Sequence, residues 1–141
     1  MKCLIADDDP RIRVLLKSLL ETPGWEFLEA QCGLEALALY EAHGADLVIM
    51  DIEMSPMDGI TAMRALRQRH ASCRVLMVSQ HNSSRFREAA EAAGAMGYVL
   101  KDDLQGVLEA LADFLPPRES KCRERSSTSV AFSQGNASSE K

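Results

Sequence analysis

Three consecutive aspartates, Asp7-Asp8-Asp9, follow a short apolar run at the start of the chain; Asp51 follows a second such run, Ser79 closes a third and Lys101 follows a fourth. Carboxylates gathered in one place repel one another and bind protons more tightly unless a cation compensates. Hard oxygen ligands that leave room for water suit Mg²⁺, which takes one or two carboxylates together with substrate phosphate oxygens. Lys101 offers a mobile positive charge for a phosphate oxygen, and Ser79 a hydroxyl that can donate a hydrogen bond to another. Asp51 is then the natural nucleophile, and attack by its carboxylate gives an acyl phosphate. Taken singly, each residue has a plainer explanation. Asp9 can simply cap a helix, Asp51 can cap a loop, Ser79 can be a strand-end hydroxyl and Lys101 a solvated charge.

The elements around these residues decide whether they meet. Lys2–Ala6 (with Cys3, Leu4 and Ile5) reads as a buried strand. Asp9 and Pro10 read as N-cap and first residue of a helix with an apolar stripe of Ile12, Leu15, Leu16, Leu19 and Leu20, stopped by Pro23-Gly24. The pattern then predicts a strand over Trp25–Glu29 and a helix over Gly33–Ala42 with Leu34, Leu37 and Ala38 inward. Next come an apolar strand over Asp46–Met50, a helix over Ile60–Arg69 burying Ile60, Met63 and Leu66, and an apolar strand over Arg74–Ser79. An alanine-rich helix over Ser84–Ala93, a strand over Gly97–Leu100 and a helix over Leu104–Leu115, using Leu104, Val107, Leu108, Leu111 and Phe114, complete the series. Strands that are apolar throughout are covered on both faces, which implies a parallel sheet between helices. Right-handed crossovers leave a doubly wound five-stranded α/β sheet, whose ligands sit beyond the carboxyl ends of the strands. Those ends carry Asp7-Asp8-Asp9, Asp51, Ser79 and Lys101, and their joint placement argues against coincidence.

From Met1 to about Leu115 the chain resembles a bacterial response-regulator receiver domain. The matching segments are IADDDP at 5–10, VIMDIEMSPMDG at 48–59, MVSQ at 77–80 and GYVLKDD at 97–103. The resemblance implies a flavodoxin-like sheet of order 2-1-3-4-5 with five helices. It makes Asp51 the phosphoacceptor, with Mg²⁺ on Asp8 directly, on Asp7 largely through water, on Asp51 and on the main-chain carbonyl of Glu53. It makes Ser79 the hydroxyl that follows the phosphoryl group, Tyr98 the aromatic switch and Lys101 the phosphate-contacting lysine. Glu53, Gln80 and His81 fall where the family tunes phosphoryl lifetime. GYVLKD is most similar to receivers that precede helix-turn-helix output domains, and no DNA-binding module follows in this sequence.

The implied function is a phosphorylation-controlled switch. A sensor histidine kinase or histidine phosphotransfer protein gives a phosphoryl group to Asp51, Ser79 moves inward, and Tyr98 turns from solvent into the core. The surface of helix four, strand five and helix five then changes, controlling a downstream protein target or a homodimer. The chain is not an enzyme beyond its own phosphoryl acceptance and hydrolysis. Three departures from the family pattern bear on this: the proline after the phosphoacceptor is Pro56 rather than residue 55, Gln80 is long where a small residue is usual, and Asp102 replaces a proline after Lys101, which disfavours a cis bond there. Two other readings compete. One is a receiver-like binding module that is never phosphorylated. The other is a phosphatase with an aspartyl-phosphate intermediate, using a D-x-D pattern at Asp7 and Asp9, although Arg11 stands where Thr or Val is expected and no cap domain is evident.

The whole chain has 141 residues and a net charge of −5. Its composition breaks at Pro116-Pro117. Residues 116–141 hold seven serines and five Lys/Arg against three Asp/Glu (+2), leaving −7 for residues 1–115. The expected organisation is therefore a receiver-like domain over 1–115 and a polar, disordered tail or linker over 116–141. The acidic domain argues against direct nucleic-acid binding. Without a long apolar run or signal peptide, a membrane association is not expected and the expected location is cytoplasmic. Cys3, Cys32, Cys73 and Cys122 match no zinc spacing and read as reduced thiols. No phosphate-binding glycine loop is present, an EF-hand from Asp7 fails at Ile12 and Ser18, and His43, His70 and His81 are scattered. Arg64, Arg67 and Arg69 read as the solvated face of helix three.

Overall fold

The computed structural model describes residues 1–112 and 130–131. Strands β1 (Lys2–Ala6), β2 (Glu26–Ala30), β3 (Leu47–Asp51), β4 (Val75–Ser79) and β5 (Gly97–Leu100) alternate with helices α1 (Pro10–Leu20), α2 (Gly33–His43), α3 (Gly59–Arg69), α4 (Ser84–Ala92) and α5 (Gln105–Ala110). The five strands are parallel in the order β2-β1-β3-β4-β5. A sixth, two-residue strand, β6 (Val130–Ala131), pairs antiparallel with β5. It falls inside the segment expected to be a polar tail; the rest of that expectation, from residue 113 onward, lies outside the described residues.

Two apolar layers hold the sheet. Leu4, Val48, Met50, Met77 and Tyr98 point to the face covered by α2, α3 and α4, where they meet Ala36, Met63, Leu66 and Ala90. The alternate residues Cys3, Ile5, Leu47, Ile49, Leu76, Val78 and Val99 point to the face covered by α1 and α5, against Leu16, Leu20, Val107 and Leu111. Strands β3, β4 and β5 are buried along their whole length, which is why their sequences are apolar without alternation. Cys3 is a small hydrophobe in this core, its thiol pushed up to about 12 by burial. Among the described residues, no helix is long and apolar enough to cross a membrane.

Several expectations shift. Leu15 is not part of the inward stripe but 49% exposed, because the buried arc of α1 is centred on Leu16 and Leu20. Leu34 and Ala38 are also exposed; α2 buries Gly33 and Ala36 instead. At Gly33 only a glycine fits, because the start of α2 lies against the Met57 carbonyl, which accepts a 3.0 Å hydrogen bond from Gly33 N–H, and a Cβ there would sit 2.6 Å from that oxygen. Strand β2 begins and ends one residue later than expected, and α5 ends at Ala110, with Phe114 outside the described residues. The three arginines of α3 are not one solvated face: Arg67 donates to the Cys73 carbonyl, Arg69 pairs with Glu41, and Arg64 lines the pocket described below. Among the described residues the one cis peptide bond is Ser55-Pro56, so the Lys101-Asp102 bond is trans.

Gly59 fixes the position of α3 behind β3. Its N–H donates to the Ile52 carbonyl at 2.8 Å, and an added Cβ would land on the Asp51 carbonyl oxygen and lie 3.1 Å from Ile52 Cα. Both obstacles are backbone and cannot rotate away. Gly59→Ala is therefore expected to lower unfolding free energy by about 1–3 kcal/mol, measured by denaturant titration.

Candidate functional site

Parallel pairing brings the ends of β1, β3, β4 and β5 to one edge of the sheet. Asp7 extends β1, its N–H donating to the Ala30 carbonyl at 3.0 Å. Asp51 closes β3, Ser79 closes β4, and Lys101 follows β5 with its N–H on the Ser79 carbonyl at 2.8 Å. Asp7, Asp51 and Ser79 are the only polar residues buried among those described. The Lys101 ammonium reaches both carboxylates, 2.9 Å from Asp7 Oδ2 and 3.3 Å from Asp51 Oδ2. One carboxylate oxygen each from Asp7, Asp8 and Asp51 lies within 4.8 Å of the others, a spacing that fits a hard divalent cation.

The three aspartates are not equivalent. Asp7 already accepts from Lys101 on Oδ2 and from Asp9 N–H on Oδ1, so the more exposed Asp8 and the terminal Asp51 are freer to ligate directly. Asp9 turns away: it caps α1, accepting from Arg11 N–H at 2.9 Å and pairing with the Arg11 guanidinium. Its carboxylate is outside the cluster, so the D-x-D arrangement of a phosphatase is not formed by Asp7 and Asp9. Burial, then the nearby Asp7 charge, pushes the Asp51 carboxyl up to about 6 against the opposing pull of Lys101. Burial also works against the Lys101 charge, but its hydrogen bond to Asp7 and the attraction of Asp51 win and raise its proton affinity.

The other expected residues stand around the mouth. Glu53 lines it, and its Oε1 lies 3.0 Å from His81 Nε2, both half-exposed, with the His81 ring edge-on to Phe86. The Glu53 side chain is thus directed to His81, while its backbone amide helps to oppose the upward shift of Asp51. Gln80 is exposed at the rim and leaves the pocket open. The pocket, about 910 Å³, runs from Asp8, Asp51 and Lys101 to Thr61, Arg64, Arg85 and Phe86.

Tyr98 was expected to face solvent before phosphorylation; it is instead fully buried. Its hydroxyl donates to the His81 carbonyl at 2.6 Å, and the Arg87 guanidinium lies 4.7 Å from the ring centroid. Inside, the phenol therefore has both an acceptor and a cation on its face, which offsets the loss of water. Ser79 Oγ accepts from His81 N–H at 3.0 Å, so Ser79 and Tyr98 are joined through one residue.

The sequence reading missed Arg13. Its guanidinium donates to the Asp7 carbonyl at 2.6 Å and to Glu29 Oε1 at 2.8 Å, and Lys17 joins Glu29 at 2.9 Å. Hydrogen bonds from Lys17 and Arg13 hold the Glu29 carboxyl below its usual range. This bracket ties the acidic turn to α1 and β2. Its signal was available only as a basic residue one turn into α1 and an acidic one at the end of the neighbouring strand.

A family model described as response regulator receiver domain matches residues 3–112. The chain is 38% identical over 112 residues to chemotaxis protein CheY of Bacillus subtilis, covering 78% of this chain and 93% of that protein. It is 37% identical over 101 residues to transcriptional regulatory protein PdtaR of Mycobacterium tuberculosis, covering 71% of this chain but only 49% of that longer protein. Among solved structures, the CheX-CheY-BeF3-Mg+2 complex of Borrelia burgdorferi superposes with a TM-score of 0.74 at 27% identity, covering 82% of this chain and 90% of that one.

The raised Asp51 proton affinity has a consequence for stability. The folded protein holds this proton more tightly than the unfolded chain, so the group's contribution is fully present below pH 3.8 and declines as pH rises through about 6. Asp51→Asn removes the unfavourable charge. Without added divalent cation, its melting temperature relative to the wild type is expected to climb between pH 4 and 7, corresponding to at most about 3 kcal/mol at pH 7, with no gain at pH 3.5. Thermal scans across that range measure it.

Proposed function

Because the chain belongs to the response regulator receiver domain family, we propose that it is a phosphorylation-controlled switch that accepts a phosphoryl group on Asp51 from a sensor histidine kinase or histidine phosphotransfer protein. The observation that carries this reading is the sharing of one ammonium, that of Lys101, between buried Asp7 and Asp51 at the floor of an open pocket. Asp51 supplies the nucleophilic oxygen. The phosphorus–nitrogen bond of the donor phosphohistidine breaks as the phosphorus–oxygen bond to Asp51 forms, and the departing imidazole keeps the electron pair and takes a proton. Lys101, already poised between the carboxylates, moves its charge toward the incoming phosphoryl oxygens while remaining tethered to Asp7. The carboxylates fit Mg²⁺, which Asp8 and Asp51 would hold with Asp7 behind them, the Glu53 main-chain carbonyl being a further ligand by resemblance, and which would supply charge neutralisation for the phosphoryl group. The chain's own contribution is positioning and charge, the main sources of catalysis in phosphoryl transfer.

The Ser79 hydroxyl donates to a phosphoryl oxygen. Because the His81 amide bonds the same Oγ and the Tyr98 hydroxyl bonds the His81 carbonyl, movement of Ser79 alters the seat of the phenol. Tyr98 is already inside, so phosphorylation deepens an existing preference by differential contact rather than creating a new state. The readout is the α4-β5-α5 surface, offered to a downstream protein or a second copy. Glu53, Gln80 and His81 at the mouth set how readily donor and water enter. The chain's catalysis is confined to its own phosphorylation and hydrolysis, and it works in the cytoplasm without touching nucleic acid or membrane.

Mass spectrometry tests this reading. An acyl-phosphate donor with Mg²⁺ is expected to add one phosphoryl group to the wild type and none to Asp51→Asn; equal labelling of the two proteins would exclude Asp51 as acceptor. Independently of phosphorylation, Mg²⁺ at about 100 times its dissociation constant is expected to stabilise the wild type by about 2.7 kcal/mol, read as a rise in melting temperature. Asp8→Ala is expected to lose most of that rise.

A further inference from the structure

The two edges of the sheet differ. Strand β2, at one edge, is exposed or half-buried at four of its five residues, whereas β5, on the other side, is buried at all four. What lies beside β5 is the chain's own Val130–Ala131, paired antiparallel in the register Gly97 with Ala131 and Tyr98 with Val130. Just past the strand, the Lys101 N–H donates inward to the Ser79 carbonyl at 2.8 Å, in step with the Ser79–Leu100 register. Alternation back along the strand therefore turns the N–H and C=O of Tyr98 outward, toward β6, and makes Tyr98–Val130 the hydrogen-bonded pair. The contact thus falls on the backbone of Tyr98 and its neighbour, beside the Arg87 guanidinium that covers the Tyr98 ring. Among the described residues, Arg87 Nη1 is buried without a hydrogen-bond partner, a donor awaiting an acceptor on this side of the sheet.

We propose that the β5 edge is a strand-docking site, filled in cis by Val130–Ala131, so that a protein partner using this edge must present an extended segment and displace the chain's own. Two residues of ladder are far fewer than a strand of ordinary length, so the cap covers the edge without locking it. An uncovered edge is a template for pairing with another chain, and a short cap is one way of blunting it. Charge favours the arrangement: residues 116–141 carry +2 and residues 1–115 carry −7. The docking site lies opposite Tyr98, so occupancy of the edge and the seat of the phenol share a backbone.

Hydrogen exchange of the full chain, without phosphoryl donor, tests the proposal separately from Asp51 chemistry. The Tyr98 amide is expected to be protected in the wild type, equally at low and high protein concentration. Val130→Pro removes the amide that donates to the Tyr98 carbonyl and is expected to speed exchange at Tyr98 by about tenfold. The Leu4 and Ile49 amides, deep in the sheet, are expected to stay unchanged and show that the domain is folded. A Tyr98 amide that exchanges freely in the wild type, or stays protected in Val130→Pro, would overturn the cap. Protection that disappears on dilution would also overturn it, by showing that a second copy supplies the strand.

Discussion

Two carboxylates that the fold takes out of water share a single ammonium. Asp7 and Asp51 sit at the ends of adjacent strands, where parallel pairing forces them together, and among the described residues Lys101 is the one basic group that pairs with both. The attraction does not settle the site: burial and mutual repulsion still leave Asp51 with a proton affinity well above that of an ordinary aspartate. A site left short of positive charge in this way is receptive to a divalent cation and to chemistry that rearranges negative charge around Asp51. The surrounding elements serve that imbalance. Arg13 fastens the backbone of Asp7 from behind, Gly59 lets α3 press against the backbone of Asp51, and the apolar strands exclude the water that would otherwise screen the charges.

The sheet was legible because β3 and β4 are apolar without interruption, which only a strand covered on both faces tolerates. The main site residues were legible for a related reason. Asp7, Asp51, Ser79 and Lys101 each stand directly at the end of such a run, and strand ends in a parallel sheet have no choice but to converge. The helical faces were less legible. Reading α2 by bulk selects Leu34, whereas the packing buries Ala36 and Gly33, the latter where closeness to the Met57 carbonyl leaves no room for a side chain. Arg13 was hidden because its partners, the Asp7 carbonyl and Glu29, belong to other elements and one of them is not a side chain at all.

The state of Tyr98 could not be read from sequence, since a tyrosine carries an apolar ring and a polar tip and both solvent and core can satisfy it. Its inward position is decided by two local partners, the His81 carbonyl and the Arg87 guanidinium. The strand β6 escaped for the opposite reason. A Val-Ala pair in a serine-rich stretch is too short to announce a strand, and its place is set by the backbone groups that β5 leaves available.

The segment between β3 and α3 is pinned at two points, Met57 to Gly33 of α2 and Ile52 to Gly59 of α3. Glu53, Met54 and Ser55 therefore form a stiff wall on one side of the pocket. Facing them, Gln80, Arg85 and Phe86 stand on the β4–α4 connection and α4, held at His81 by the Tyr98 hydroxyl and Ser79 Oγ and at Phe86 by Ser83. These ties run through side chains rather than backbone pairs, so this second side is coupled to the seat of the phenol. On the proposed function, the residues that shape entry to the pocket after Ser79 are therefore the same ones that would carry the switch.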